Sequence, residues 1–514
     1  MNLVEELTAL QQRHGYLRDT DLRELSARTH TPLHAIQGLC TFYPHFRRQP
    51  PARIEVRGCR DLACHLRDGE RALNDLRARC QENEDLRFEP VSCLGRCDLA
   101  PACTLNDVAM TADEAHGCLE TPGTVPAARA ATTRHSFSLD PYGSREEHYG
   151  VLEEWLDAAP QAIVERLESS GLRGMGGAGF PTGRKWKLVA AEPATPRYVI
   201  CNADESEPGT FKDREVLARA SHLMLEGMVL GALATGSHEG WVYIRHEYGP
   251  EREALEQAID RAREAGVLGE RVLGRDFAFD VRVFVSPGGY ILGEETALLE
   301  AMEGRRGEPR NKPPYPGVRG LHGKPTLINN VETFAQVPRA LREGTIATKL
   351  FSVSGDVERP DVVEAAFGTS VAELIARCGG IKEGRKLLAF LPGGASTGFL
   401  SAEHEHLPLD WEPLREAGSA LGSAAVIVVA EGADLLDLAG NLTAFFRNES
   451  CGKCVPCRIG TEKAVQLIAT RETEGLERLR ELDETLASTS ICGLGQAALT
   501  PVLSVLDHFQ VDTS

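Results

Sequence analysis

The chain has 514 residues, room for about three to five domains. Its hydrophobic content of 42% and charged content of 25% are those of an ordinary globular protein, so a large core is expected. A net charge of −19 without any Lys/Arg-rich tract argues against nucleic acid and against an anionic membrane surface as partners.

Met1-Asn2-Leu3-Val4-Glu5-Glu6 is acidic and amphipathic, unlike a signal peptide. No apolar run approaches the roughly eighteen residues of a membrane span. A cytoplasmic protein without direct membrane insertion is therefore expected. In that setting its 14 cysteines read as metal ligands rather than as a disulfide framework.

Residues 1–46 read as helical. Leu3, Leu7 and Leu10 recur at helical spacing, a second helix starts near Asp19 and Asp21, and a third runs over about 32–39. The expected role is a packing bundle. Ile54-Glu55-Val56 then alternates as a strand and leads to Cys59-x4-Cys64, followed by an amphipathic helix to about residue 84. A second strand, Leu86–Val91, leads to Cys93-x3-Cys97. Two cysteine pairs on loops after strands can enclose one compact centre, and both zinc and a [2Fe-2S] cluster accept four thiolates. Cys80 and Cys103 are expected as buried small apolar residues. Residues 121–136 carry Pro, Ala and Thr with little periodicity and read as a linker.

The next block, 137–344, is organised around a loop with six glycines between Gly171 and Gly183. Glycine in a helix or strand interior costs roughly 0.5–1 kcal/mol relative to alanine, so this stretch is a loop. Gly174, Gly176 and Gly179 fit G-x-G-x-x-G, but a dinucleotide fingerprint follows a strand, whereas residues 162–170 read as a helix ended by Gly171. The stretch reads as a phosphate- or flavin-facing loop of another kind, with a tight structural turn as the alternative.

The strand Tyr198-Val199-Ile200-Cys201 ends in a crowd of polar groups, Asn202, Asp204, Glu205 and Glu207. Ligands of open α/β sheets bind at such strand ends. A helix around Leu223-Met224-Leu225, a strand Trp241-Val242-Tyr243-Ile244 and a helix over 250–265 follow. The strand 281–285 opens into a second glycine turn, Gly288-Gly289-Tyr290-Ile291-Leu292-Gly293-Glu294-Glu295, before a helix whose free N–H groups could hold a phosphate or a polar ring edge. Residues 311–316 and 326–333 read as irregular and polar enough to line a site.

Residues 345–430 suggest a hairpin (351–355 with 362–365), a helix (371–375) and strands at 387–391 and 425–429, with Cys378 a packed thiol. From about 431 the chain is helical and carries Cys451-x2-Cys454-x2-Cys457, with Cys492 remote. That spacing is a [4Fe-4S] spacing: three cysteines on one tight loop and a fourth at a later helix start. Helices over 458–471, 475–488 and 495–508 would form a bundle around it.

Several of these motifs carry a resemblance. Gly15-Tyr16, Thr41-Phe42-Tyr43, the Cys59/Cys64 pair and Cys93-Leu94-Gly95-x-Cys97-x-x-Ala100-Pro101 resemble the thioredoxin-like [2Fe-2S] subunit of respiratory complex I. The five stretches between 171 and 333, in the same order, resemble the FMN- and NADH-binding flavoprotein subunit of complex I and the diaphorase subunits of NAD-reducing hydrogenases and formate dehydrogenases. Met175, Ser206 and Leu292 depart from the complex I pattern and tilt the resemblance towards the beta subunit of soluble NAD-dependent formate dehydrogenases.

The resemblance implies a multidomain α+β and α/β fold. It has a helical N-terminus (1–46), a thioredoxin-like [2Fe-2S] domain (47–120), a Rossmann-like FMN- and NADH-binding domain (137–344), a β-grasp domain (345–430) and a helical [4Fe-4S] domain (431–514). It implies that Gly174, Gly176, Lys185, Asn202, Asp204, Glu205, Gly293, Glu294, Asn329, Asn330 and Thr333 hold FMN. Phe180, Glu207, Tyr290, Glu295, Lys312 and Tyr315 would hold NAD(H), with Glu207 and Glu295 nearest the chemistry. Cys59, Cys64, Cys93 and Cys97 would hold [2Fe-2S], and Cys451, Cys454, Cys457 and Cys492 [4Fe-4S].

NADH releases two electrons at once as hydride, a cluster takes one, and a flavin does both. No molybdenum, tungsten or nickel site is visible, so the resemblance implies a partner subunit with molybdopterin or tungstopterin and further clusters, alongside a small [2Fe-2S] subunit. The alternatives are a hydrogenase or complex I diaphorase and, from another class, a non-catalytic iron–sulfur scaffold.

Overall fold

The computed structural model describes residues 2–120 and 137–512, so the expected linker 121–136 lies outside the described residues. The chain divides into two units. One comprises residues 1–50, 130–205 and 212–348; the other comprises 51–129, 206–211 and 349–514.

The first unit is built on four parallel strands in the spatial order Asp280–Ser286, Glu239–Arg245, Tyr198–Ala203, Thr326–Asn330. Val199, Ile200, Cys201, Val242, Ile244, Val281, Leu327 and Ile328 are buried, the continuous apolar runs of a sheet covered on both faces. Helix Ser221–Thr235 is mostly apolar and buried along nearly its whole length. At Gly227 an added Cβ would stand 2.1 Å from the carbonyl oxygen of Phe334, so glycine is what lets this helix touch the segment after the last strand. Among the described residues no single helix is long and apolar enough to cross a membrane.

Two expectations change here. Residues 326–333 are not irregular: they form the strand Thr326–Asn330 and the helix Val331–Ala335, whose first turn is capped by the Asn330 side chain accepting from the amides of Glu332 and Thr333. Polar Asn329 and Asn330 masked a strand whose apolar part is only Leu327-Ile328. A helix Lys212–Arg219 also stands where none was expected, because its charged residues are paired in the interior rather than solvated. The N-terminal helices Leu3–His14, Asp19–Thr29 and Leu33–Phe42 belong to this unit. They are anchored by Asn2 Nδ2 donating to the carbonyl of Met302 (2.6 Å) and the Tyr43 hydroxyl donating to that of Arg305 (2.5 Å).

The second unit contains a small mixed sheet in the order Leu86–Val91, Ile54–Cys59, Ala102–Leu105, Val108–Thr111, with the first pair parallel and the others antiparallel. Val56, Leu76, Cys80, Cys103, Leu105 and Met110 form its core, which places Cys80 and Cys103 as packed thiols. A five-stranded sheet follows, in the order Asp361–Ala366, Thr348–Gly355, Ala425–Ala430, Leu387–Leu391, Leu400–Ser401. Helix Val371–Arg377 accompanies it, held at its start by a reciprocal Ser370/Glu373 capping box, and Cys378 lies in the core. Helices Leu435–Asn448, Val455–Thr470, Thr473–Thr489 and Thr500–His508 complete the unit.

Candidate cofactor sites

In the parallel sheet of the first unit the strands appear in space as third, second, first and fourth. The direction of winding therefore reverses between Tyr198–Ala203 and Thr326–Asn330. A crevice forms outside the carboxyl ends at such a reversal. The glycine loop folds back on itself there, with the Gly174 amide donating to the Phe180 carbonyl (2.9 Å), and the Met175 amide donates to Thr333 Oγ1 (2.8 Å). An added Cβ at Gly176 would meet Asn330 Cβ at 3.0 Å, whereas at Gly177, whose φ is +126°, it would meet nothing within 4 Å. The loop is thus closely packed on one side and open on the other.

Lys185, on helix Thr182–Ala191, donates to Glu295 Oε1 (2.5 Å) and to the Ile328 carbonyl (3.0 Å). Asn202 Nδ2 donates to the Gly293 carbonyl (2.9 Å), and Asp204 Oδ2 accepts from the Ser286 hydroxyl (3.0 Å). Asn330 Nδ2 donates to Asp213 Oδ2 (2.5 Å), and Asn329 Oδ1 accepts from the Trp186 indole (3.0 Å). These contacts bring Gly174, Gly176, Lys185, Asn202, Asp204, Gly293, Glu295, Asn329, Asn330 and Thr333 to one end of the sheet.

Two acids behave differently from the expectation of a ligand-facing group. The Glu205 carboxylate accepts from the amides of Asp213 (2.9 Å) and Arg214 (3.1 Å) and from the Tyr248 hydroxyl (3.0 Å), so it caps the unexpected helix; burial and the nearby Asp213 push its carboxyl above the usual range. Glu294 Oε2 accepts from the amides of Thr296 and Ala297 (both 2.9 Å), and its other oxygen accepts from Lys312 (2.7 Å). The helix after the second glycine turn therefore does not offer all its first amides to a phosphate, because its own cap takes them. Phe180 and Tyr315 are 40% and 61% exposed, and the Arg184 guanidinium lies 5.8 Å from the Phe180 ring centre.

Sequence reasoning missed a buried charge cluster beneath this end of the sheet. Lys212 Nζ lies 2.7 Å from Asp213 Oδ1 and 2.8 Å from Glu332 Oε2, with both Lys212 and Glu332 fully buried. The only signal was Lys212-Asp213-Arg214-Glu215, which reads on its face as a solvated charge run.

Glu207 lies in the second unit. Its Oε1 accepts from the amide (2.9 Å) and hydroxyl (2.7 Å) of Ser396 and its Oε2 from the Ser423 hydroxyl (3.3 Å); burial raises its carboxyl above the usual range. A Cβ on Gly394 would stand 2.9 Å from its carboxyl carbon.

The same unit holds both thiol groups. Cys59 ends one strand and Cys93 follows its parallel neighbour, whose register pairs Cys59 with Val91, so the two loops emerge side by side. Cys59, Cys64, Cys93 and Cys97 are at most 4% exposed, and the Cys93 and Cys97 sulfurs are 3.7 Å apart. Backbone amides point at sulfur: Ala102 to Cys64 (3.3 Å) and Gly95 to Cys93 (3.4 Å). Asp61, buried beneath, accepts from the Cys93 amide (2.7 Å) and fixes the second loop.

In the helical region Cys454 sits at the start of helix Val455–Thr470 and Cys457 in its first turn, so the three close cysteines share a loop and a helix start rather than one loop. Cys492 precedes the helical turn Gly493–Gln496. A Cβ on Gly495 would stand 3.0 Å from Cys457 Cβ. Burial pushes the Cys457 thiol up to about 12, so occupation by a metal must displace its proton.

The donor sets fit the groups the sequence implies. Amides, carboxylates and a lysine beside a Cβ-free loop suit the hydroxyls, phosphate and flat ring of FMN. Four thiols without a disulfide in each of two nests suit sulfide clusters.

Comparison with known proteins agrees with this geometry. Residues 1–119 match the thioredoxin-like [2Fe-2S] ferredoxin family, 167–339 the Nuo51 FMN-binding domain, 350–400 the SLBB domain and 437–514 the NADH-ubiquinone oxidoreductase-F iron-sulfur binding region. One of the NADH-quinone oxidoreductase F subunits of Rhizobium meliloti (strain 1021) is 43% identical over 385 residues, covering 71% of this chain and 88% of that protein. The corresponding F subunit of Escherichia coli (strain K12) is 39% identical over 412 residues, covering 76% and 93%. A chain in the crystal structure of NAD+-reducing [NiFe]-hydrogenase in the H2-reduced state superposes with a TM-score of 0.88 at 30% identity, covering 99% of this chain and 92% of that one. The sheet reversal, the two thiol nests and these matches together place the chain in the family of NADH-quinone oxidoreductase F subunits, which are iron–sulfur flavoproteins, with a thioredoxin-like [2Fe-2S] domain joined at its N-terminal side.

Proposed function

We propose that this chain is the diaphorase subunit of a cytoplasmic NAD-dependent formate dehydrogenase, joined to a partner subunit that carries molybdopterin or tungstopterin and further clusters. The family's activity is electron transfer between NADH, FMN and iron–sulfur centres. When bound, the flavin supplies hydride exchange with the nicotinamide, and the clusters supply one-electron passage. What favours a soluble diaphorase over complex I is the union, in one chain, of the thioredoxin-like and flavoprotein parts, which fits a formate dehydrogenase and a hydrogenase alike. A chemistry-specific substrate must then be handled on another subunit. The departures at Met175, Ser206 and Leu292 lean the same way.

In this reading Gly174, Gly176, Lys185, Asn202, Asp204, Gly293, Asn329, Asn330 and Thr333 hold FMN, with Glu205 and Glu294 acting through the helix starts they cap. Lys185 supplies a compact positive charge suited to a phosphate or an electron-rich ring edge. Phe180 and Tyr315 offer exposed rings for stacking on NAD(H), and Tyr290, Lys312 and Glu295 orient it. Orientation and electrostatics suffice for hydride transfer between flat rings, so no general acid is assigned. Glu207 remains a candidate NAD(H) residue to be tested by substitution. Cys59, Cys64, Cys93 and Cys97 take [2Fe-2S], and Cys451, Cys454, Cys457 and Cys492 take [4Fe-4S]. Domain limits at 46, 120, 136, 344 and 430 go with this assignment and are checked by limited proteolysis.

A second reading, the diaphorase of an NAD-reducing hydrogenase, is favoured by the fold likeness over 99% of the chain. Purifying the native complex and identifying the co-purifying chain and its metal separates the two. Molybdenum or tungsten with formate-dependent NAD+ reduction supports the first. Nickel with hydrogen-dependent reduction replaces it with the second.

A further inference from the structure

Away from the flavin crevice, the first unit carries a cavity that electron transfer does not use. It encloses about 590 Å³, a volume typical of small-molecule sites, and none of the candidate FMN or NAD(H) residues borders it. Arg145, Arg219 and Arg261 bring three guanidinium groups to its wall from three segments: the stretch entering the unit, the end of helix Lys212–Arg219 and helix Gly249–Glu264. Arg263, two residues beyond Arg261, shows how this acidic chain occupies an arginine elsewhere: it holds Asp280 (3.0 Å) and Asp260 (3.2 Å). Arg145 and Arg261 form no ion pair and no side-chain hydrogen bond among the described residues. Glu146 and Glu153 also border the cavity, but neither is ion-paired with these arginines, and Glu146 is engaged by the Ser144 hydroxyl and a backbone amide.

The cavity also meets the start of helix Ser221–Thr235, through Ser221 and His222. No side chain caps this start, so its first amides keep the partial positive charge of a helix N-terminus. His222 is only 9% exposed. Its Nε2 pairs electrostatically with Asp140 Oδ2 (3.0 Å) without forming a hydrogen bond, so a buried donor remains at the wall. The His148 ring, stacked flat on it with centroids 3.7 Å apart, holds the His222 ring in place.

We propose that this cavity binds a small molecule through a phosphate group. Guanidinium groups meet phosphate oxygens in pairs, and the start of a helix donates amides to the same group. A tetrahedral dianion takes donors from several directions at once, which is how Arg145, Arg261 and the start of the helix are disposed, on separate segments. Leu217, Val267 and Leu273 supply an apolar part of the wall, suited to the organic body of a nucleotide.

The test uses the full-length protein with flavin and both clusters reconstituted anaerobically, in phosphate-free buffer with saturating NAD+, so that the crevice is filled. Equilibrium dialysis against radiolabelled inorganic phosphate and, separately, against radiolabelled ADP counts the bound ligand. Arg145→Gln and Arg261→Gln are the variants, because both side chains are exposed and lie outside the crevice. Wild type should bind one equivalent, and each variant should bind at least about tenfold more weakly, while the KM for NADH in ferricyanide reduction stays unchanged. ADP held more tightly than phosphate identifies the ligand as a nucleotide, and equal affinities identify phosphate alone. No saturable binding of either probe, or binding that either variant retains at full affinity, would overturn the proposal.

Discussion

The crevice of the first unit and the thiol nests of the second prepare for their ligands in opposite ways. In the crevice each polar side chain is already held by another: Lys185 by Glu295, Asn202 by Gly293, Asn330 by Asp213, Glu294 by its own helix start. Such an arrangement keeps its shape without a ligand, and because the contacts are separate pairs, losing one leaves the other pairs in place. In the [2Fe-2S] nest the thiols face one another, with backbone amides pointing at sulfur. A cluster needs every one of its four ligands, so the nest is all-or-none. A binding site made of many weak, mutually satisfied groups should degrade by steps, and one made of four strong bonds should not.

The largest effect expected from this contrast is on iron. Cys64→Ser should abolish the [2Fe-2S] centre and Cys454→Ser the [4Fe-4S] centre, each leaving flavin content unchanged, as read by iron and acid-labile sulfide analysis. Partial retention of both clusters would break the contrast.

The next effect concerns a buried carboxyl in the first unit. Glu226 accepts from the Tyr142 hydroxyl and the Leu152 amide (both 2.8 Å), and burial pushes its carboxyl up to about 7 from an ordinary 4.5. The folded state therefore holds a proton that the unfolded state has released between these values, so this group's contribution to stability is full below pH 4.5 and is lost as pH rises to about 7. The contribution is on the order of 3 kcal/mol. Denaturant melts of Glu226→Gln should be flatter over that window than those of wild type; identical slopes would contradict the assignment.

Glu295→Gln tests the crevice itself. It weakens the contact to Lys185 without emptying the site, so kcat/KM for NADH–ferricyanide reduction should drop by roughly 10–100-fold with FMN retained. Unchanged kinetics would remove Glu295 from the nicotinamide side. The smallest effect should come from Asn330→Ala, which takes away one helix cap. A loss of about 1 kcal/mol, with flavin binding weakened but not abolished, is the graded response expected of a network.

The iron–sulfur chemistry was legible because it is local: C-x2-C-x2-C offers thiolates for three corners of a cube, and cysteine pairs placed just after strands announce a shared loop region. The fold class followed from the family resemblance that the motifs carry. Less legible were features in which a side chain answers a distant one. Lys212 carries no sign in its own neighbourhood of Glu332, which lies over a hundred residues later and stands beside it in the interior. Glu205 and Glu294, expected at the flavin, also cap helix starts, which no local pattern announced.

The sequence by itself determined which residue types gather at which loops, because glycine spacing, thiol spacing and apolar runs act over a few residues. Only the tertiary structure decided which of those polar groups remain available. That depends on the parallel register bringing Asn202 opposite Asn330, and on the low-dielectric interior, which forces each buried charge or amide to find a partner wherever the chain supplies one.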